Sequence, residues 1–193
     1  MKSLKGSKTL ENLARAFAGE AQARARYTYY AEVAKKEKYI DIYYIFKITA
    51  NNERAHGKVF LDLIVEGGCS GNIDISAGYP FAIGQTLDNL KEAVNGEQEE
   101  FTDVYPNFEK IAIEEGYPEV ATAFRNIISV EKEHHKRFKD LYELVNQNKF
   151  FRRDTVQYWE CENCGYIYEG ESAPMACPLC KYPQGYFKVK SEK

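Results

Sequence analysis

Two tetrapeptides place a carboxylate and an imidazole three residues apart: Glu53-Arg54-Ala55-His56 and Glu131-Lys132-Glu133-His134. At that spacing both side chains share one face of a helix. The surrounding residues show which face it is. Ile42, Phe46, Thr49, Glu53, His56, Phe60 and Leu63 recur at alternating steps of four and three, and so do Val120, Phe124, Ile127, Glu131, His134, Phe138, Leu141 and Val145. Each carboxylate and imidazole pair therefore points into a core. An uncompensated buried carboxylate is costly, so something positive must face it, and a metal ion is the obvious candidate.

Two further carboxylates interrupt apolar stripes. Residues 9 to 37 read as a helix with Leu13, Phe17, Glu20, Arg24 and Tyr27 on one face, and residues 86 to 115 as a helix with Leu87, Leu90, Val94, Glu97, Phe101, Val104, Phe108 and Ile111. Pro106 removes a hydrogen bond from that third helix and should bend it, a defect of roughly 3 kcal/mol in a helix interior. Short turns join helix 9 to 37 to helix 41 to 66, and helix 86 to 115 to the one beginning at Pro118, so each pair should be antiparallel. At a rise of about 1.5 Å per residue, Glu20 comes level with Glu53 and His56, and Glu97 and Glu100 with Glu131 and His134.

The halves repeat: Gly19-Glu20 precedes Glu53 by 33 residues, and Gly96-Glu97 precedes Glu131 by 34. Glu100 has no counterpart, because Ala23 occupies the equivalent place. Between them, residues 67 to 85 carry five glycines and a proline with little helical periodicity. A segment that long reads as a crossover running the length of the bundle, with Ile73, Ile75, Tyr79, Phe81 and Ile83 requiring burial. The fold class is mainly α, a ferritin-like four-helix bundle with one long crossover.

One Glu from each of two helices and a Glu-x-x-His from each of the other two is the ligand set of di-iron and di-manganese carboxylate bundles. Glu53 and Glu131 are placed to bridge two cations, Glu20 and Glu97 to act as terminal ligands, and His56 and His134 to supply nitrogen. Tyr27 and Tyr105 could donate hydrogen bonds to these ligands, or serve as core aromatics with a hydrated hydroxyl. A purely ionic alternative would pair the carboxylates with Arg24 or Arg54. His135 points off the seam toward solvent.

Beyond a basic linker, residues 149 to 157, the remaining 36 residues are too few for an independent apolar core. Cys161-Glu162-Asn163-Cys164 and Cys177-Pro178-Leu179-Cys180 form two Cys-x-x-Cys knuckles, and four thiolates suit tetrahedral zinc or iron. Zinc would be structural, whereas iron could pass single electrons. Cys69 reads as an ordinary free thiol. The domains are expected at 1–148, 149–157 and 158–193.

Composition narrows the class further. The 193 residues include 28% charged side chains at a net charge of −3, which gives no nucleic-acid footprint. The apolar runs are too short for a membrane span, and the first ten residues are too polar for a signal-peptide core, so a cytoplasmic protein is expected.

The whole chain resembles the rubrerythrin family, a di-iron bundle followed by a rubredoxin-like iron domain. The likeness rests on the ligand set, the opening Met1 to Ser7, Ala16-Phe17-Ala18-Gly19-Glu20 with Gln22-Ala23-Arg24, Glu114-Glu115-Gly116-Tyr117, and Cys164-Gly165-Tyr166. The resemblance implies a peroxidase of oxidative-stress defence that reduces hydrogen peroxide to water. Electrons would come from NAD(P)H through a reductase or a separate rubredoxin, then through the four-cysteine iron. It also implies that His56 and Glu100 exchange as ligands of one iron when it is oxidised. A homodimer would face the cysteine module of one chain with the di-iron site of the other. The alternatives from other classes are a ferroxidase or iron-storage protein, and a non-enzymatic electron carrier.

Overall fold

The computed structural model describes residues 2–190. Met1 of the opening motif and residues 191–193 of the expected C-terminal domain lie outside the described residues. The helices are α1 (Lys8–Lys36), α2 (Ile40–Glu66), α3 (Thr86–Glu99), α4 (Tyr105–Glu114) and α5 (Pro118–Asn146), and a π-helical segment, Glu100–Val104, joins α3 to α4. The small domain holds β1 (Arg152–Cys161), β2 (Ile167–Ser172) and β3 (Phe187–Val189), with β1 central in an antiparallel sheet of order β2-β1-β3.

The π segment explains an inequality in the sequence repeat. Up to Glu97 the halves are offset by 77 residues, which relates Leu13 to Leu90, Ala16 to Ala93 and Glu20 to Glu97. From Tyr105 onward the offset is 78, relating Tyr27 to Tyr105, Glu53 to Glu131 and His56 to His134. One extra residue has entered the second half, and the helix absorbs it by widening: the Tyr105 N–H bonds to the Glu100 carbonyl, five residues back. Phe101 still packs on the core, but beyond it the expected seam of Val104 and Ile111 is displaced by one residue, and Tyr105 and Ala112 are the buried positions instead. The single helix expected over 86 to 115 is thus interrupted at this turn, directly before Pro106.

Other faces also differ from expectation. Along α1 the buried stripe is Leu13, Ala16, Glu20, Ala23, Tyr27, Tyr30 and Ala34, whereas Phe17 and Arg24 face outward. Those small residues let α1 and α2 approach closely; Gly57 of α2 leaves only enough room that an added Cβ would lie 3.4 Å from the Glu20 Cβ. In the crossover, Ile73 packs on the core and Tyr79 is half-buried, but Phe81 is 91% exposed and Ile83 66%. The crossover is held instead by polar contacts: Tyr79 Oη donates to the Arg15 carbonyl, Arg15 Nε to Ser76, Gln22 Nε2 to Pro80 and Tyr30 Oη to Ala82.

Two quasi-equivalent apolar clusters close the bundle on either side of its polar centre. One stacks Tyr27 on Phe46 and Phe138, and the other stacks Tyr105 on Phe124 and Phe60. The opening residues seal the second end. Leu4 is fully buried and donates its N–H to the Gly67 carbonyl, while Glu115 accepts from Lys8 N, Thr9 N and Thr9 Oγ1 at the start of α1. Tyr117 Oη also donates to the Ser3 carbonyl, so two of the segments that carry the family resemblance touch each other.

The strand β1 begins at Arg152, inside the stretch read as a linker, and its register to β2 slips between Arg152 and Gln157. Trp159 and Phe187 are fully buried in the core of the small domain. That domain rests on the α1–α2 turn, where a Cβ at Gly185 would collide with the Lys38 carbonyl.

Candidate metal centres

Four helices deliver their acidic and imidazole side chains to the middle of the bundle. Glu20, Glu53, His56 and Glu131 bring one ligand atom each within 4.8 Å of one another, and so do Glu53, Glu97, Glu131 and His134. Glu53 and Glu131 belong to both groups. All six residues are buried, and the two imidazole rings lie nearly parallel with centroids 5.8 Å apart.

The atoms approach one another without satisfying one another. His134 Nδ1 is 2.8 Å from Glu131 Oε2 and 3.2 Å from Glu53 Oε1, and His56 Nδ1 is 2.9 Å from Glu131 Oε1. Yet Glu20 Oε2, Glu53 Oε1, Glu97 Oε2, both Glu131 oxygens and His134 Nδ1 lack a hydrogen-bond partner of acceptable geometry. Buried polar atoms are normally paired, and lone pairs aimed at common points rather than at each other fit cations between them. The outer oxygens are partnered: Tyr27 Oη donates to Glu97 Oε1 at 2.6 Å, and Tyr105 Oη to Glu20 Oε1 at 2.5 Å. Each tyrosine thus crosses the bundle to the glutamate of the opposite half.

The charge balance agrees. Burial pushes the Glu20 carboxyl well above the carboxylate range and that of Glu97 to about 8. For Glu131 burial acts in the same direction, but the close approach of the His134 and His56 imidazoles prevails and holds it down at about 2. Burial disfavours charge on His134, and the Glu131, Glu53 and Glu97 carboxylates overcome this and raise it to about 12; His56 rises for the same reason. Without metal, then, the cluster keeps protons where cations would bind. Arg24 and Arg54, which the purely ionic alternative needs, are both exposed.

Glu100 stands apart from both groups of four. It lies at the start of the π segment, half-buried, and burial raises its carboxyl well above the usual range, with Glu20 the strongest of the neighbouring charges. His135 is half-buried rather than solvent-exposed: its Nδ1 is 3.1 Å from the Val94 carbonyl and its ring stands edge-on to Phe101. The function of the π turn in placing Tyr105 escaped the periodicity reading, although the 33 and 34 residue spacings carried its signal.

Cys161, Cys164, Cys177 and Cys180 form the third cluster. Cys161 Sγ lies 3.7 Å from Cys180 Sγ, and Cys164 Sγ 3.7 Å from Cys177 Sγ. A tetrahedron with metal–sulfur bonds of about 2.3 Å has edges of about 3.8 Å, so the thiol positions fit a four-coordinate ion. The knuckles turn through positive φ at Gly165 (75°) and Lys181 (65°). Cys164 is exposed, which leaves one edge of the cluster open to a partner. Cys69 is buried beside the end of α2, its Sγ 3.7 Å from the Gly67 carbonyl oxygen.

Comparison with known proteins agrees with both halves. Residues 11–142 match the Rubrerythrin family model, and residues 159–188 match the model for the rubrerythrin rubredoxin-like domain. Rubrerythrin-1 of Clostridium acetobutylicum is 52% identical over 193 residues, covering 100% of this chain and 99% of that protein. Rubrerythrin of Nitratidesulfovibrio vulgaris is 43% identical, covering 98% and 97%. A structure of fully reduced, all-ferrous nigerythrin aligns with a TM-score of 0.64 at 31% identity, covering 98% of this chain and 92% of that one. A bacterioferritin from Desulfovibrio desulfuricans aligns at 21% identity with a TM-score of 0.67 over 74% of this chain and 82% of its own, a likeness of fold. With its carboxylate and histidine cluster fitted to two irons and its four thiols to a third, the chain belongs to the rubrerythrin family.

Proposed function

We propose that the protein is a peroxidase that reduces hydrogen peroxide to water. The observation that carries this reading is the pair of ligand groups sharing Glu53 and Glu131, buried and unsatisfied, in a chain that also holds a four-thiol cluster suited to one-electron transfer. Glu20, Glu53, His56, Glu97, Glu131 and His134 would hold the two irons, with Glu53 and Glu131 common to both groups, and Tyr105 and Tyr27 fix the outer oxygens of Glu20 and Glu97. Two irons held there would supply the two electrons that cleavage of an O–O bond consumes. The aromatic clusters on either side keep bulk water from the site.

Glu100 is the mobile acid in this reading. Its position on the π turn, outside the ligand groups but with Glu20, which is grouped with His56, as the strongest neighbouring charge, supports an exchange with His56. Single π turns inside α-helices are frequent at functional sites, which agrees with a role for the residue that opens this one.

Electrons would arrive from NAD(P)H by way of a reductase or rubredoxin. The small domain rests on its own bundle at the start of α2, and Glu53 lies about 20 Å further along that helix. That spacing supports delivery from the cysteine module of a second chain in a homodimer. No described helix is long and apolar enough to cross a membrane.

The test is stopped-flow absorption of anaerobically reduced, iron-loaded protein mixed with hydrogen peroxide and, separately, with oxygen. Faster oxidation by peroxide is expected; faster oxidation by oxygen would make the protein a ferroxidase instead. The Glu100→Ala variant should keep its iron and lose peroxide reactivity. Unchanged iron content together with an unchanged rate would remove the exchange role.

A further inference from the structure

A cavity of about 350 Å³ lies between α1 and the π segment, roofed by crossover residues Ser76 to Pro80. None of the six clustered ligands lines it, but it reaches to within one residue of two of them. Gly19 and Gly96, each one residue before a ligand glutamate, line it together with Glu100 and Tyr105, the residue bonded to Glu20. Val104 and Phe108 give it an apolar side. Arg26, whose Nη1 has no hydrogen-bond partner among the described residues, stands on the α1 wall.

The two glycines argue that the space has a use. Glycine inside a helix is destabilising, and a close contact usually accounts for it. Neither position has such a contact. An added Cβ would meet nothing nearer than the Tyr79 ring at 3.6 Å for Gly19, or Arg26 Nη2 at 3.9 Å for Gly96. What the missing side chains leave is open volume beside Glu20 and Glu97. Hydrogen peroxide needs little more room than water, about 30 Å³ of liquid volume, so the cavity exceeds that need roughly tenfold.

We propose that this cavity is a hydroperoxide pocket, and that the protein also reduces small organic hydroperoxides. The alkyl group sits against Val104 and Phe108 under the crossover, and the O–O group points past Glu100 toward the metal cluster. The inference rests on the peroxidase reading above. The reaction is ROOH + 2 H⁺ + 2 e⁻ → ROH + H₂O: the O–O bond breaks, one oxygen leaves in the alcohol and the other as water. The electrons come from the reduced iron pair and the protons from solvent.

The test compares tert-butyl hydroperoxide with hydrogen peroxide as oxidants of the reduced, iron-loaded protein, in the wild type and in Gly96→Leu and Gly96→Ala. The wild type should react with both. Filling the pocket in Gly96→Leu should lower the ratio of the alkyl rate to the hydrogen peroxide rate by at least about tenfold, with a smaller drop in Gly96→Ala. A second readout is independent of turnover: crystals of the zinc-loaded, redox-inert protein soaked with tert-butyl alcohol should show the alcohol between α1 and the π segment, and Gly96→Leu crystals should not. A wild type that reacts with hydrogen peroxide but not with the alkyl compound would overturn the pocket and leave the peroxidase intact. An unchanged ratio in Gly96→Leu, or no alcohol in the cavity, would also overturn it. Failure to react with either oxidant would instead reject the peroxidase reading itself.

Discussion

The Tyr105 hydroxyl donates a 2.5 Å hydrogen bond to Glu20 Oε1, joining residues 85 positions apart and tying the two halves of the bundle together at the metal cluster. Tyr27 and Glu97 make the reciprocal contact. In Tyr105→Phe the buried Glu20 oxygen loses its donor, at a cost of about 1–3 kcal/mol. The iron-loaded variant should melt lower and bind metal about 10–100-fold more weakly, as is usual when the group that orients a ligand is removed. Calorimetric unfolding and metal titration check this; an unchanged affinity would mean that packing alone positions Glu20.

The π segment is the second half's one extra residue, so deleting Thr102 should return the helix to regular α geometry with an offset of 77 throughout. Tyr105 would still reach Glu20, because Tyr27 reaches Glu97 from a regular helix. Glu100 would fall into the place that Ala23 holds in the first half. The variant should fold, bind two metals and react more slowly with peroxide, which a crystal structure and stopped-flow traces would establish. Survival of a π turn at a shifted position, with full reactivity, would argue against its role.

Metal binding should displace protons. Burial holds Glu97 up at about 8, and the neighbouring carboxylates raise His134 to about 12, so both are protonated at neutral pH in the metal-free chain. Each must give up its proton to bind a cation, so affinity should rise with pH and fall in acid. Titration calorimetry of ferrous or zinc ions in buffers of different ionisation enthalpy should show net proton release near pH 7. Release of none would contradict the charge balance described above.

Glu115 caps α1 from the end of α4, and the sign of its pH effect is fixed by that geometry. Its burial is slight and raises the carboxyl a little, but hydrogen bonds from the Thr9 hydroxyl and N–H and from the Lys8 N–H bring it below its ordinary value. A depressed folded pKa gives stability that is present above about pH 4.3 and lost as pH falls through the folded value. Glu115→Ala should cost about 1 kcal/mol at neutral pH, as for loss of a helix cap, and its deficit relative to wild type should shrink in acid. Unfolding curves at pH 7 and pH 3 test this; an equal deficit at both would show that the cap works without its charge.

Much of the site was legible in the residues themselves. A Glu-x-x-His pair on an apolar helical face is a local pattern, and so is a Cys-x-x-Cys knuckle; each names its ligands because the spacing alone puts them on one side of a turn. The repeat likewise related Glu20 to Glu97 before any packing was known. What periodicity could not resolve was how an inserted residue is accommodated. A bend at Pro106 and a π turn before it are both compatible with the sequence, and only packing against α5 and α1 selects the form that buries Tyr105 instead of Val104. The crossover differs from expectation for a related reason: Phe81 and Ile83 are apolar, but burial belongs to neighbours, and within one chain they have few. Which candidate ligands share a helix face or a knuckle was thus determined by the sequence, because that depends on contacts one helical turn long. The reach of Tyr105 to Glu20, the placement of Glu100 and the cavity beside it were decided by tertiary structure, because they depend on the spacing between helices that no local pattern encodes.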